Sequence, residues 1–185
     1  MFDPSPLTTL DRYLTLYPSE RSTHALLRMA LHRDGPALLR RSTLAGHITT
    51  SAFVLDHSGT SAALIWHKQL QKLLQPGGHF EDDASLLASA EREMIEETGI
   101  TNAQPVTYVP IDIDTHPIPA RPDKDEPAHV HHDFAFLFRC AGPAELQPQL
   151  DEVEKAVWVP LRDIATASTS PRVRRLADKV MKLTA

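Results

Sequence analysis

The segment from Leu86 to Gly99 constrains the fold more than any other, because it joins a helical apolar pattern to a cluster of carboxylates. Its apolar residues recur at the spacing of one helix face and are Leu86, Leu87, Ala90 and Met94. This spacing predicts a helix over residues 84–98. Gly99 is placed to end it, since glycine readily takes the left-handed conformation that closes helices.

Three glutamates, Glu93, Glu96 and Glu97, stand near the end of this predicted helix. Glu93 and Glu97 repel by roughly a few tenths of a kcal/mol, and Glu96 and Glu97 lie at the negative end of the helix dipole. Their side chains share an arc of about 100°, so the carboxylates can converge on one point. Oxygen ligands of this kind suit Mg²⁺ or Mn²⁺, and the backbone carbonyl of Gly77 can join them. A solvated acidic face is the alternative interpretation.

The rest of the chain alternates between helical and strand-like patterns. The first 40 residues and the segment after Pro171 are predicted to be helical. A hairpin is predicted over residues 47–68, and further strand-like segments are 106–118, 128–140 and 155–161. The proline-rich segment 118–128 is predicted to be an exposed loop. The sequence therefore predicts an α/β fold with a mixed sheet, a central helix, a C-terminal helix and a helical N-terminal extension.

Composition narrows the functional classes. With 185 residues the chain is long enough for one domain with a sizeable core. The 19 basic and 24 acidic residues give a net charge of −5, which argues against nucleic-acid binding. Cys140 is the single cysteine, so no internal disulfide forms, and a cytoplasmic location is expected. No apolar run reaches the roughly 20 residues of a membrane span, and the N-terminus lacks a signal-peptide pattern.

The segment Gly78–Ile100 resembles the Nudix box, which reads Gly, five residues, Glu, seven residues, then Arg-Glu-apolar-x-Glu-Glu-x-Gly-apolar. Matching residues at the correct spacing are Gly78, Arg92, Glu93, Met94, Glu96, Glu97, Gly99 and Ile100. One position differs, because Ala84 stands where the box has glutamate. The resemblance implies a Nudix-type α/β/α sandwich over residues 41–185, with residues 1–40 as a separate helical extension.

The resemblance also implies an activity, namely Mg²⁺-dependent hydrolysis of a nucleoside diphosphate linked to another moiety. Glu93, Glu96 and Glu97 would be metal ligands together with the Gly77 carbonyl, and Mn²⁺ is the alternative ion. Glu93, Glu96 and Arg92 are the candidate catalytic residues, with Arg92 pairing to carboxylates and fixing the helix against the preceding loop. The general base is either Glu93 or a residue of a late loop, and the loop candidates are Glu145, Asp151, Glu152 and Glu154.

Ala84 qualifies this expectation, because the missing carboxylate belongs to the metal site of the family. Asp82 and Asp83 are close enough in sequence to replace it in part, although capping of the helix N-terminus is the favoured role for both. A nucleotide-binding or sensing module with weakened or lost hydrolysis is therefore the alternative function. A related isomerase class on the same fold needs a catalytic cysteine, and Cys140 lies at the end of an apolar strand.

Ten histidines are many for a chain of this length. His79 follows Gly78 directly, and both are expected to contact the substrate, as is His131. In a strand, His129, His131 and Asp133 would share one face and His132 would lie on the other. That face is expected to be a polar rim, a phosphate contact or a transition-metal site. The expected partner is a small nucleotide-type molecule, and a homodimer is left open.

Overall fold

The computed structural model of the protein describes residues 5–122, 125–149 and 153–184. The helices in these ranges are α1 (Pro6–Leu16), α2 (Ala25–Asp34), α3 (Leu86–Thr98), α4 (Ile164–Ala167) and α5 (Pro171–Thr184). The strands are β1 (His47–Leu55), β2 (Ser61–His67), β3 (Lys72–Leu74), β4 (Gly77–His79), β5 (Ala103–Pro105), β6 (Asp112–Ile118), β7 (His129–Cys140) and β8 (Val153–Pro160). None of the helices so described has the length and apolar character that crossing a membrane requires.

The strands form one mixed sheet around β1. The main order is β3-β2-β1-β7-β5, while β4 pairs with β1, β6 with β7 and β8 with β2. Strands β1 and β7 run parallel, from His47 opposite His131 to Leu55 opposite Arg139, whereas the other pairs are antiparallel. The parallel register matters for the site, because it places the first residues of β1 beside the histidines at the start of β7.

Helices cover both faces of the sheet. Ala90 and Met94 of α3 pack in one core with Phe134 of β7. On the opposite face, Leu176 of α5 packs in a second core with Phe53 of β1. The structure therefore confirms the predicted α/β/α sandwich. Because side chains alternate along a strand, each core takes every second residue of β1 and β7.

The N-terminal helices are packed onto this sandwich. Leu10 of α1 and Leu27 of α2 belong to the same hydrophobic cluster as α3. The Nζ atom of Lys179 in α5 donates to Tyr13 Oη at 2.8 Å and to Glu20 Oε1 at 2.9 Å. The helical prediction for the first 40 residues is thus confirmed within the described part, residues 5–40. A domain division between residues 40 and 41 stays a prediction.

The helix α3 begins later than predicted, and its cap is different. It starts at Leu86, and the Oγ atom of Ser85 accepts the Ala88 N–H at 3.1 Å. The capping role preferred for Asp82 and Asp83 is therefore wrong, because the serine lies directly before the first turn. Gly99 ends the helix with φ +75°, as predicted.

Two further predictions about strands are corrected. The expected strand over 106–118 is shorter, since β6 covers only its last seven residues and β5 is a separate short strand before it. The stretch between the predicted hairpin and α3, for which no strand is predicted, contains β3 and β4. The predicted loop 118–128 carries an isolated bridge between Arg121 and Glu126, and its residues 123–124 lie outside the described ranges.

Candidate active site

Arg92 lies at the centre of a carboxylate network between α3 and the loop before it. Its Nη1 atom donates to Glu93 Oε1 at 2.9 Å and to Glu96 Oε2 at 3.0 Å. Its Nε and Nη2 atoms donate to the two oxygens of Asp83 at 3.1 and 3.2 Å. Nη2 also donates to the backbone carbonyl of His79 at 2.8 Å. One guanidinium therefore fixes the helix, the loop and strand β4 relative to one another, since its donors form a rigid planar fork.

Glu93 is buried, and Gly78 lies directly against it. Only 8% of Glu93 is exposed, and a Cβ atom at position 78 would collide with its carboxylate. Burial raises the pKa of Glu93 to about 7, although the charge and hydrogen bond of Arg92 act in the opposite direction. A glycine at position 78 is therefore required by close approach of the backbone to this carboxylate.

Glu96 and Glu97 point to different partners. The Oε2 atom of Glu97 accepts the Gly77 N–H at 2.8 Å, whereas the Glu96 side chain is 43% exposed and pairs with Arg92. Metal-binding side chains (His, Cys, Asp or Glu) form one group of three in the described ranges whose ligand atoms all lie within 4.8 Å of one another. That group is His47, His79 and His131, and it contains none of the glutamates. The three carboxylates are therefore not gathered on one point here, and their role as metal ligands with Gly77 stays a prediction.

Of the residues at positions 82–84, only Asp83 is hydrogen-bonded to Arg92. Ala84 is exposed, as is Asp82, which has φ +55°. Asp83 instead accepts from Arg92 and from the Glu81 N–H at 3.1 Å. Burial alone would raise the pKa of Asp83, but these hydrogen bonds lower it below its ordinary value. Asp83 is thus a charged partner of Arg92 and not a helix cap.

A cavity of about 670 Å³ opens on the α5 face of the sheet, beside β4. Gly77, Gly78 and His79 form part of its wall, together with His131 of β7. The remaining polar wall comes from Arg41, Thr49, Ser51, His116, Arg121, Glu126, His129, Asp133 and Arg172. The candidate substrate-binding residues Gly78, His79 and His131 therefore line one cavity. Strand β4 lies between this cavity and helix α3.

Asp133 organises the floor of this cavity. It accepts from Thr49 Oγ1 at 3.0 Å and from Ser51 Oγ at 2.6 Å, and its Oδ2 atom lies 3.4 Å from Arg172 Nη1. His129, His131 and Asp133 lie on this face, as predicted. His132 lies on the other face, where its Nδ1 atom is 2.9 Å from Thr115 Oγ1.

The histidines at the end of the sheet form a close cluster. His47 of β1 contacts the rings of His79, His129 and His131 at centroid distances of 5.1, 4.9 and 4.7 Å. Burial, followed by neighbouring positive charge, lowers the pKa of His79 to about 4, and the same causes lower the pKa of His131. The imidazoles of His79 and His131 are therefore neutral near pH 7.

Several residues of the site were not identified from the sequence. His47, Thr49 and Ser51 lie in β1, where only the parallel pairing with β7 shows which side chains face the cavity. Arg172 reaches the cavity from α5, far along the chain, and no sequence signal marks it. Of the late-loop candidates for the general base, Glu145 and Glu154 are exposed, while Asp151 and Glu152 lie outside the described ranges.

Cys140 does not form part of this site. It is 3% exposed at the end of β7 and packs in the core beneath α3. Burial raises the pKa of its thiol, so a smaller fraction of the side chain is in the reactive thiolate form. The isomerase interpretation therefore has no suitably placed cysteine.

Comparison with known proteins agrees with this geometry. The sequence model described as NUDIX domain matches residues 46–180. A protein of Lactococcus lactis subsp. cremoris (strain MG1363) named "Probable DHNTP pyrophosphohydrolase" is 36% identical over 110 residues, which are 57% of this chain and 65% of that protein. The chain thus spans slightly less than two thirds of the length of that relative.

Solved structures share the fold. A hydrolase of the NUDIX family from Clostridium perfringens superposes with a TM-score of 0.59 at 20% identity, covering 75% of this chain and 98% of that one. The C. elegans Ap4A hydrolase, in a binary complex, superposes with a TM-score of 0.60 at 17% identity over 74% and 96% of the two chains. Since the family model matches most of the sequence, the chain belongs to the NUDIX family.

Proposed function

We propose that this protein is a Mg²⁺-dependent pyrophosphohydrolase that cleaves a nucleoside diphosphate linked to another moiety. The observation that carries the proposal is the buried carboxylate Glu93, held by Arg92 and packed against Gly78, which forms part of the wall of a cavity of about 670 Å³. That volume lies within the roughly 300–1,000 Å³ of small-molecule sites. Membership of the NUDIX family, and the name of the Lactococcus relative, support phosphoanhydride hydrolysis.

The donor set fits a hard divalent cation. Glu93, Glu96 and Glu97 supply carboxylate oxygens, and Gly77 adds a backbone carbonyl in the adjacent strand. The raised pKa of Glu93 marks a buried carboxyl whose negative charge is incompletely compensated by Arg92. When bound, Mg²⁺ or Mn²⁺ would neutralise charge that develops on the phosphoryl oxygens.

Side chains of the protein are proposed to accept the proton, to orient the carboxylates and to contact the substrate. Glu93 takes a proton from the attacking water, because its buried carboxylate contacts Gly78 in the wall of the cavity. Arg92 orients Glu93 and Glu96 through its two hydrogen bonds from Nη1. Gly78 leaves the backbone open toward the substrate, and His79 and His131 line the cavity that receives the phosphates.

The substrate is proposed only as a class. A small nucleotide-type molecule with a pyrophosphate bond fits the cavity and the family, and DHNTP belongs among the candidates because of the relative's name. We place the protein in the cytoplasm, supported by its single buried cysteine. A homodimer stays a prediction that sedimentation can test.

A substrate panel with a matched pair of variants tests the proposal. Release of phosphate or pyrophosphate is measured with Mg²⁺ or Mn²⁺ on DHNTP, nucleoside triphosphates, ADP-ribose, dinucleoside polyphosphates and nucleotide sugars. Glu93→Gln is expected to lower kcat at least about 100-fold, in the range of a lost general base. Glu91→Gln changes an exposed glutamate of the same helix and is expected to leave turnover unchanged. Binding of a panel compound without turnover by the wild type would instead favour the sensing module that Ala84 suggests.

A further inference from the structure

A second group of side chains with metal-binding chemistry lies on the other side of β4 from the glutamates. Three strands bring four imidazole rings together: His47 from β1, His79 from β4, and His129 and His131 from β7. His47 stands opposite His131 in the parallel pair, and Thr49, two residues later, stands opposite His79. The sheet register therefore holds the rings together, and no flexible loop is needed to assemble them.

The free ring nitrogens are directed by their backbone partners. The Nδ1 atom of His47 lies 3.4 Å from the Thr43 carbonyl, and that of His129 lies 2.8 Å from the Pro127 carbonyl. Because a carbonyl can only accept, both Nδ1 atoms carry the proton and both Nε2 atoms carry a lone pair. Imidazoles that bind metals are oriented in this way, with the second nitrogen donating to a carbonyl or carboxylate.

Two of these nitrogens are buried without a partner in the described part of the chain. His47 Nε2 and His79 Nε2 make no hydrogen bond, and His47 is only 1% exposed. The Nε2 atoms of His129 and His131 lie 3.1 Å apart, and since His129 Nε2 carries a lone pair, His131 Nε2 donates to it and the lone pair of His131 is on Nδ1. Buried polar atoms are satisfied in the great majority of cases, so the two nitrogens without a partner, His47 Nε2 and His79 Nε2, indicate a missing bound group.

The spacing is close to that of a metal site. One nitrogen from each of His47, His79 and His131 lies within 4.8 Å of the others. A tetrahedral ion with Zn–N bonds of about 2.0–2.1 Å needs nitrogens about 3.4 Å apart. Small ring rotations therefore bring the three nitrogens to bonding distance.

We propose that His47, His79 and His131 bind a divalent transition-metal ion of the Zn²⁺ class, at a centre separate from the carboxylates of α3. Imidazole nitrogen favours such ions, whereas Mg²⁺ favours oxygen, so the two centres differ in the ion they select. His79 and His131 line the cavity, so the remaining coordination position faces it, as in zinc sites with three protein ligands.

Direct spectroscopy on the wild-type chain provides the first test. Metal-free protein is titrated with Zn²⁺ by calorimetry in excess Mg²⁺, and the loaded protein is measured by X-ray absorption. We expect one Zn²⁺ per chain, with nitrogen neighbours and the multiple scattering of imidazole rings. Absence of stoichiometric binding, or a shell made of oxygen alone, would overturn the proposal without any variant.

Variants then locate the ion. Loss of a residue that only hydrogen-bonds to a metal ligand weakens metal binding by about 10–100-fold. Because His79 and His131 are proposed as ligands themselves, His79→Gln and His131→Gln are expected to weaken Zn²⁺ binding by more than that. His57→Gln, in the exposed turn between β1 and β2, serves as the control and should bind as the wild type does. Circular dichroism confirms that each variant is folded.

The triple change Glu93→Gln, Glu96→Gln and Glu97→Gln separates the two centres. It should abolish Mg²⁺-dependent turnover, and in titrations without Mg²⁺ it should leave Zn²⁺ affinity within about threefold of the wild type. Loss of Zn²⁺ binding in this triple variant, with retention in His79→Gln and His131→Gln, would place the ion on α3 and overturn the proposal.

Discussion

Replacement of Glu93 by glutamine should stabilise the metal-free protein while it removes turnover. Glu93 is buried with its carboxylate against Gly78, and its pKa is raised from 4.5 to about 7. The folded state therefore binds more protons at this group than the unfolded state between pH 4.5 and 7. Stability from the group is fully present below pH 4.5 and is lost as the pH rises through 7.

The magnitude follows from the interval between the two pKa values. At about 1.4 kcal/mol per pH unit, an ionised Glu93 destabilises the folded state by up to about 3.5 kcal/mol well above pH 7. Glutamine carries no charge at any pH, so the Glu93→Gln variant does not lose this unfolding free energy as the pH rises. The gain in unfolding free energy from the substitution should be about 2.5 kcal/mol larger at pH 8 than at pH 5.

Urea denaturation at the two pH values, with EDTA present, measures this difference. Glu91→Gln, on the exposed side of the same helix, should show no such pH dependence. Addition of Mg²⁺ should raise the stability of the wild type by mass action and that of Glu93→Gln much less. A gain from Glu93→Gln that is equal at pH 5 and pH 8 would refute the buried, incompletely compensated carboxylate.

Other substitutions test the surrounding contacts. Gly78→Ala should destabilise the fold and lower activity, since its Cβ meets the Glu93 carboxylate, whereas Gly142→Ala, with nothing within 4 Å, should do neither in thermal melts and rate assays. Asp83→Asn should cost about 1.5–3 kcal/mol of unfolding free energy by weakening the Arg92 pair, and unchanged urea midpoints would contradict that pairing. Ala84→Glu should change stability by less than about 1 kcal/mol and leave the Mg²⁺ dependence unchanged, because Arg92 already has Asp83 as its partner. A lower Mg²⁺ requirement in that variant would show that the missing box carboxylate limits the site.

The sequence predicted the features that depend on local spacing. The apolar stripe and Gly99 identified α3, and the box spacing identified Arg92, Glu93 and Gly78 as neighbours. These contacts arise within one helix and the loop before it, so their geometry is already present in the residue intervals. The cap was misassigned because two aspartates and one serine compete for it, and only the start of the first turn decides between them.

Contacts between distant segments were not predictable in the same way. His47 joins the cluster only because β1 and β7 pair in parallel with His47 beside His131, and a shift of one residue would turn it to the other face. Strands β3 and β4 have three residues each, too few for an alternating pattern to be recognised. Arg172 enters the cavity from α5, whose docking depends on the second core.

His79 belongs to both metal-binding neighbourhoods at once. Its ring lies in the histidine cluster, while its carbonyl accepts from the guanidinium that holds Glu93 and Glu96. A movement of the ring toward an ion shifts the same backbone that anchors Arg92. The two centres would then be thermodynamically linked, and linkage is reciprocal. An ion bound at the histidines would change the Mg²⁺ affinity of the glutamates by a certain factor, and bound Mg²⁺ would change the affinity of the histidines for their ion by the same factor. The availability of a trace metal would then control the activity of the hydrolase.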